Sequence, residues 1–198
     1  PPLLDLAALH GDAWDLLPMD KYRAHNWQCL DDSPRQPYAS IYTSLGCPFK
    51  CHFCCINAPF GANRYRMRKP QDVVAEVAHL HDKYGVKTFK ISDEMFVLND
   101  RHVRGICEGL AALPYASELN IWAYARVDTV KAEHVGLLRA AGVRWLALGI
   151  ESGSDLVRDG ADKAFHDSDI YATVRMIQVG GINVIGNFIF GLPDDTKL

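Results

Sequence analysis

The chain predicts an α/β protein: a partial TIM-like (β/α) barrel in which five parallel βα units are visible. Three features carry this prediction. Apolar stretches of strand length recur five times between amphipathic stretches, the alternation that builds parallel strands joined by right-handed crossovers. Residues 143–150 are mostly apolar, as a strand covered on both faces must be. Every strand runs at its C-terminal end into polar or glycine-containing residues, consistent with one shared mouth. A doubly wound sheet fits the same string of elements; the polar strand ends favour the barrel.

Residues 1–38 differ from the rest. They cluster Pro, Asp and Trp, as in Asp31-Asp32-Ser33-Pro34, and show no long period, so an irregular lead-in with a helical turn is expected. From Tyr38 a strand of about seven residues runs into a cysteine-rich loop that continues to Arg68. Pro70 suits the first turn of a helix carrying Val73, Val74, Val77, Leu80 and Tyr84, stopped by Gly85. The second strand is 86–91, ending in Ser92-Asp93-Glu94. Asn99 or Asp100 caps a helix with Val103, Ile106, Cys107, Leu110 and Leu113 inward. A third strand, 119–127, leads through Asp128 and Thr129 into a helix with Val130, Leu137, Leu138 and Ala141 inward. The fourth strand, 143–150, ends in Glu151-Ser152-Gly153-Ser154, and a helical region, clearest from Ser168 to Ile177, precedes a fifth strand at 182–190. A barrel left open there would bare an edge. More strand material is therefore expected downstream, and 39–198 reads as a barrel domain truncated after its fifth strand.

Cys47, Cys51 and Cys54 form a C-x3-C-x2-C run directly after the first strand. Three thiolates on a cubane iron–sulfur cluster leave one iron open, the logic of a reactive site. Cys55 follows at once, but sequence neighbours rarely point at one metal, so three ligands are counted. The alternative is a structural zinc knuckle completed by His52 or Cys55; such knuckles usually bring their ligands in two separated pairs. Cys107 reads as core and Cys29 is undetermined.

The cysteine loop, with Phe53 just before its third cysteine, resembles the signature loop of the radical S-adenosylmethionine (radical SAM) enzymes. The resemblance runs from about Tyr38 to Asp194 and implies a (β/α)6 barrel. It also implies a 4Fe–4S cluster on Cys47, Cys51 and Cys54 whose reduction splits S-adenosylmethionine into methionine and a 5′-deoxyadenosyl radical. Ser92-Asp93-Glu94 stands where the family carries a Gly-Gly-Glu-like motif for the methionyl amino group; lacking the glycines, the role passes to Asp93 or to backbone carbonyls, and Glu94 is counted with Asp93 among the cofactor-binding residues the resemblance implies. Glu151 and Ser152 are similar to the family's ribose motif. Asn187-x-Ile189-x-Gly191-x-x-Asp194 is similar to its fifth-strand adenine motif, with Asn187 in place of Gly and Asp194 in place of Glu. Phe53 would pack near adenine. Arg126 is either the partner of the cofactor carboxylate or a structural ion pair with Asp128 or Glu151. The lead-in, with Trp14 to Met19 followed by Tyr22, looks like the linker from an upstream cobalamin-binding domain in the cobalamin-dependent class, many of whose members methylate unreactive carbon. Cobalamin would come from a domain outside this chain. Cobalamin-free rearrangement, oxidation or sulfur insertion stays open, as does a binding module without catalysis.

Composition limits the partners. The 198 residues carry a net charge of −3 with no dense basic stripe, which argues against nucleic acid. No apolar run reaches membrane-spanning length. Clustered cysteines fit a reducing compartment, so the cytoplasm is expected, with a small-molecule substrate and, by the resemblance, an electron donor such as flavodoxin or ferredoxin. Arg64, Arg66, Arg68 and Lys69 read as a solvated loop. His79, His81, His102, His134 and His166 read as surface or capped structure. Trp122 and Tyr124 alternate on the third strand, and cavity wall and barrel packing explain them equally well.

Overall fold

The computed structural model describes residues 5–6, 13–163 and 165–196. Its main sheet contains β1 (Tyr38–Ile41), β4 (Thr88–Ile91), β5 (Asn120–Arg126), β6 (Val143–Glu151) and β7 (Asn183–Phe188); β2 (Ser44–Leu45) and β3 (Arg66–Met67) form a small antiparallel pair. The helices are α1 (Pro70–Tyr84), α2 (Asp100–Ala111), α3 (Ala132–Ala140), α4 (Asp155–Gly160) and α5 (Asp167–Val179). All neighbours in the main sheet are parallel, and they stand in chain order, β1-β4-β5-β6-β7. A doubly wound sheet reverses direction at a switch point. No reversal occurs here, which decides for the partial barrel.

Strand alternation sorts the side chains. Ile121, Ala123 and Ala125 of β5 join Phe89 and Ile91 of β4 and Leu146 and Leu148 of β6 in one core with Val73, Val77 and Leu80 of α1, Ile106 and Leu110 of α2 and Leu138 of α3. Trp122, Tyr124 and Arg126 occupy the other face. Helix limits follow local chemistry: Asn99 accepts from the His102 amide at the start of α2, and Gly85, at φ 70°, ends α1. Cys107 is buried in the core, as expected, and burial pushes its thiol up to about 12.

Two expectations change. The first strand breaks after Ile41, because Thr43 turns inward to Asp93 and Ser44–Leu45 pair with Arg66–Met67 instead. The basic run is accordingly not a wholly solvated loop: Arg66 lies in β3, and Arg68 bridges Glu76 and the Tyr42 carbonyl. His102 and His134 are buried and capped, by Thr43 and Asp100 respectively. Residues Ala13–Leu16, Met19–Lys21 and Asn26–Cys29 form short 3-10 turns. The lead-in packs under the N-terminal strand ends. There, fully buried Gln28 donates to the carbonyls of Phe89 and Asn120, both at 3.0 Å, and Trp27 meets Trp122 and Trp145 edge to face at 5.3 Å.

Candidate active site

The C-terminal strand ends surround a cavity of about 430 Å³, within the usual range of small-ligand sites. Cys47, Cys51 and Cys54 line it together with Phe53, Asp93, Glu94, Arg126, Glu151 and Asn187. Nine of the eleven residues expected at the site therefore meet in one place. The other two stand elsewhere: Ser152 is buried with its hydroxyl accepting from the Ser154 amide, and the Gly191 amide donates to Asp195.

The cysteine loop is held from several sides. Gly46, at φ 83°, turns the chain off β2, and its amide donates to Glu94 at 2.9 Å. Asn57 clamps Cys47 twice, its Oδ1 accepting from the Cys47 amide at 3.1 Å and its Nδ2 donating to the Cys47 carbonyl at 2.7 Å. The amide of Cys54 closes a turn on the Cys51 carbonyl. His52 ties the loop to the end of α4: its amide donates to the Ala161 carbonyl, and its Nδ1–H donates to the Gly160 carbonyl, which can only accept. Cys47 and Cys51 are half-buried and Cys54 is exposed. Burial raises the Cys47 thiol above its ordinary value, and the neighbouring Cys51 and Cys54 raise it further. Cys55 does not line this cavity; it lines a neighbouring hollow that Cys51 and Cys54 also border, with Lys50, His52 and Asn63.

Asp93 is fully buried beneath the cavity wall. Its carboxylate accepts from the Thr43 amide at 2.6 Å and from the Thr43 and Ser44 hydroxyls at 2.5 Å each. Burial raises its pKa, and these donors oppose that rise. Because the Thr43 hydroxyl gives its proton to Asp93, it accepts from the Nε2–H of His102 at 3.0 Å. Burial lowers His102 to about 4, so its ring is neutral near pH 7. Asp93 thus fixes the strand entering the cysteine loop, while Glu94 stands nearer the cavity.

Arg126 forms an ion pair with Asp128 at the cavity edge. Its Nε and Nη2 fork onto Asp128 at 2.9 Å each, Nη1 points at the Cys51 sulfur at 3.4 Å, and the guanidinium lies 3.9 Å from the Phe49 ring centre. Burial alone would lower its pKa; the Asp128 hydrogen bonds and charge outweigh that and raise it. Glu151 sits at a register shift in β6 with φ 69° and pairs with Lys163 at 2.5 Å; both are buried. Lys163 also donates to the Gly149 carbonyl at 3.0 Å. Asn57 and Lys163 escaped the sequence reading because no spacing marks either: only the fold of the loop and the turn after α4 bring them in.

The donor set suits an iron–sulfur cluster beside an organic cofactor. Three thiols stand at one end of a cavity whose walls mix apolar groups (Phe53, Ile56, Met95) with Glu94, Glu151 and Asn187. Comparisons agree. An uncharacterised methyltransferase of Pyrococcus horikoshii is 31% identical over 93% of this chain and 38% of its own length. The anaerobic magnesium-protoporphyrin IX monomethyl ester cyclase of Cereibacter sphaeroides is 30% identical over 77% of this chain and 25% of its own. The chain thus spans well under half the length of these curated relatives. The radical S-adenosylmethionine methyltransferase TsrM from Kitasatospora setae, solved with cobalamin and a [4Fe-4S] cluster, superposes with a TM-score of 0.72 at 25% identity, covering 82% of this chain and 34% of that one. With residues 41–197 matching the Radical SAM superfamily model, the chain belongs to the radical SAM superfamily.

Proposed function

We propose that Cys47, Cys51 and Cys54 hold a [4Fe–4S] cluster, that the adjoining cavity holds S-adenosylmethionine, and that the chain is the radical-generating part of a larger methyltransferase acting on an unreactive carbon. The observation that carries this is the meeting of the three thiols with Phe53, Glu94, Glu151 and Asn187 around one cavity. When bound, the cluster and cofactor supply one-electron cleavage of a carbon–sulfur bond. The protein's own groups do the positioning. Asn57 and Glu94 set the first cysteine, Arg126 places a positive charge against the Cys51 sulfur, and Lys163 holds Glu151 facing the cavity. Phe53, Ile56 and Met95 offer an apolar wall that excludes water.

Cobalamin, in this reading, belongs to a domain upstream of residues 1–38, which link it to the barrel domain at 39–198; similarity to methyltransferases, one of them solved with cobalamin, supports it. The substrate is a small molecule and the electron donor a flavodoxin or ferredoxin. No helix among the described residues is long and apolar enough to cross a membrane. A second reading, radical chemistry other than methylation, is favoured by the similarity to a cyclase.

Anaerobic reconstitution tests the core of the proposal. The protein should turn brown, bind iron and sulfide, and form 5′-deoxyadenosine from S-adenosylmethionine with dithionite. Cys51→Ala should lose the cluster and Cys55→Ala should keep it. Colourless protein with one zinc, or equal loss of iron in both variants, overturns the assignment.

A further inference from the structure

Beneath the cofactor cavity, among the described residues, the barrel interior holds a cation that the reading above does not use. Lys90 lies on β4 opposite Ser40 of β1 and Trp122 of β5. It points to the face that carries Trp122 and Tyr124, with its ammonium 4.7 Å from the Trp122 ring centre and 5.3 Å from that of Tyr124. Other lysines inside or beside the barrel have acids: Lys163 has Glu151, Lys87 has Glu118 and Lys131 has Asp100. Among the described residues, no carboxylate lies within ion-pair distance of Lys90. Burial lowers its pKa, and no neighbouring charge offsets this.

The surroundings also hold an unpartnered donor. Trp122 Nε1–H is buried without a hydrogen bond. The Ser40 and Ser92 hydroxyls bond each other at 2.6 Å. Lys90 is half-buried, and aromatic faces offset only part of the cost of partly withdrawing its ammonium from water.

The place is continuous with the site. Ser92 and Tyr124 line the cofactor cavity, and Ser92 stands two residues, about 7 Å, above Lys90 on the same strand face. A molecule reaching down from the cavity would pass the Tyr124 ring and meet the ammonium next.

We propose that Lys90 is the anchor for an anionic group of the substrate, with a flat or apolar body lying along Tyr124 and Trp122 and the reacting carbon presented upward to the cofactor cavity. The substrate class is therefore a small organic acid. This rests on the radical SAM reading for what happens at the upper end.

The test uses the full-length protein, reconstituted with its cluster and S-adenosylmethionine, and a matched pair of probes: 3-phenylpropanoate and 3-phenylpropanamide. By calorimetry the acid should bind at least about tenfold more tightly than the amide, the worth of one charge-assisted hydrogen bond. Lys90→Met should bring the pair level, and Lys90→Arg should restore most of the preference. In the wild type, reductive methylation of Lys90, mapped by mass spectrometry, should be slowed by the acid and not by the amide; this readout stands even if Lys90→Met fails to fold. Equal binding of the two probes, binding of neither, or an acid preference that survives Lys90→Met overturns the assignment. Iron content is read on the same samples. A protein without a cluster sinks the radical SAM reading, whereas a loaded protein with no acid preference sinks only the role of Lys90.

Discussion

Replacing Gly46 by alanine isolates what positions the cysteine loop. Gly46 has φ 83°, and a Cβ built on it would lie 2.2 Å from the backbone carbonyl oxygen of Arg64. Holding a non-glycine residue in the left-handed region costs about 1–2 kcal/mol. The clash adds to this, because the atom struck is backbone rather than a flexible side-chain end. Clearing it needs a shift of about 1 Å near β3, which pairs with β2 over only two residues; losing one or two of the hydrogen bonds there or at Glu94 costs about another 1–2 kcal/mol. The sum is about 3 kcal/mol, a rise of roughly 150-fold in the open population of the loop at 1.4 kcal/mol per tenfold. Gly61 is the internal control. It has φ 63° in the same loop but nothing within 4 Å of its would-be Cβ, so Gly61→Ala should pay only the backbone cost. Hydrogen exchange of the 44–67 peptide reads both: Gly46→Ala should accelerate the Gly46 and Cys47 amides about 100-fold, and Gly61→Ala about tenfold. Equal, small effects from the two substitutions would refute the view that close backbone packing at Gly46 sets the loop.

Three further outcomes follow from the same geometry. His102 has a folded pKa of about 4 against 6.5 when free, so between those values the unfolded chain binds more protons and stability falls as pH falls. The loss is at most about 3 kcal/mol. Asp93, raised by burial, acts in the opposite sense, so the measurement is a difference: urea unfolding at pH 7 and pH 5 should show a shallower pH dependence in His102→Gln, and an unchanged one would be evidence against the assignment. Lys163→Met leaves the buried Glu151 carboxylate unpaired and should cost about 3–5 kcal/mol in the same assay, with much of it recovered by adding Glu151→Gln; additive losses in the double variant would argue against a coupled pair. Gln28→Ala removes two buried donors from the strand ends opposite the cysteines and should cost about 2–4 kcal/mol, while folded protein keeps its full iron content; a loss below about 0.5 kcal/mol would mean that the lead-in does not seal the barrel.

By itself the sequence determined whatever depends on local period and short spacing. Helical spacing from Val73 to Leu80, the stops at Gly85 and Gly142 and the Asn99 cap set the helices, which lie within a few residues of their expected places, whereas the break after Ile41 and the β2–β3 pair had no local signal. The C-x3-C-x2-C run marked the cysteine corner of the cavity, since all three thiols fall within eight residues of chain. Tertiary structure alone decided what depends on atoms far apart in sequence. It chose the barrel over the doubly wound sheet, because strand order is a property of the crossovers and not of any one strand. It gave Asp93 to Thr43 and Ser44, about 50 residues away, and Arg126 to Asp128 and Cys51. It also brought Lys163 to Glu151 through a register shift that no periodicity signals, and it turned the irregular lead-in into a floor, because Gln28 finds its acceptors only once β4 and β5 lie side by side. The physical reason is the same in each case: an element forms on the preferences of its own residues, whereas a buried charge or amide takes whichever partner the packed chain delivers.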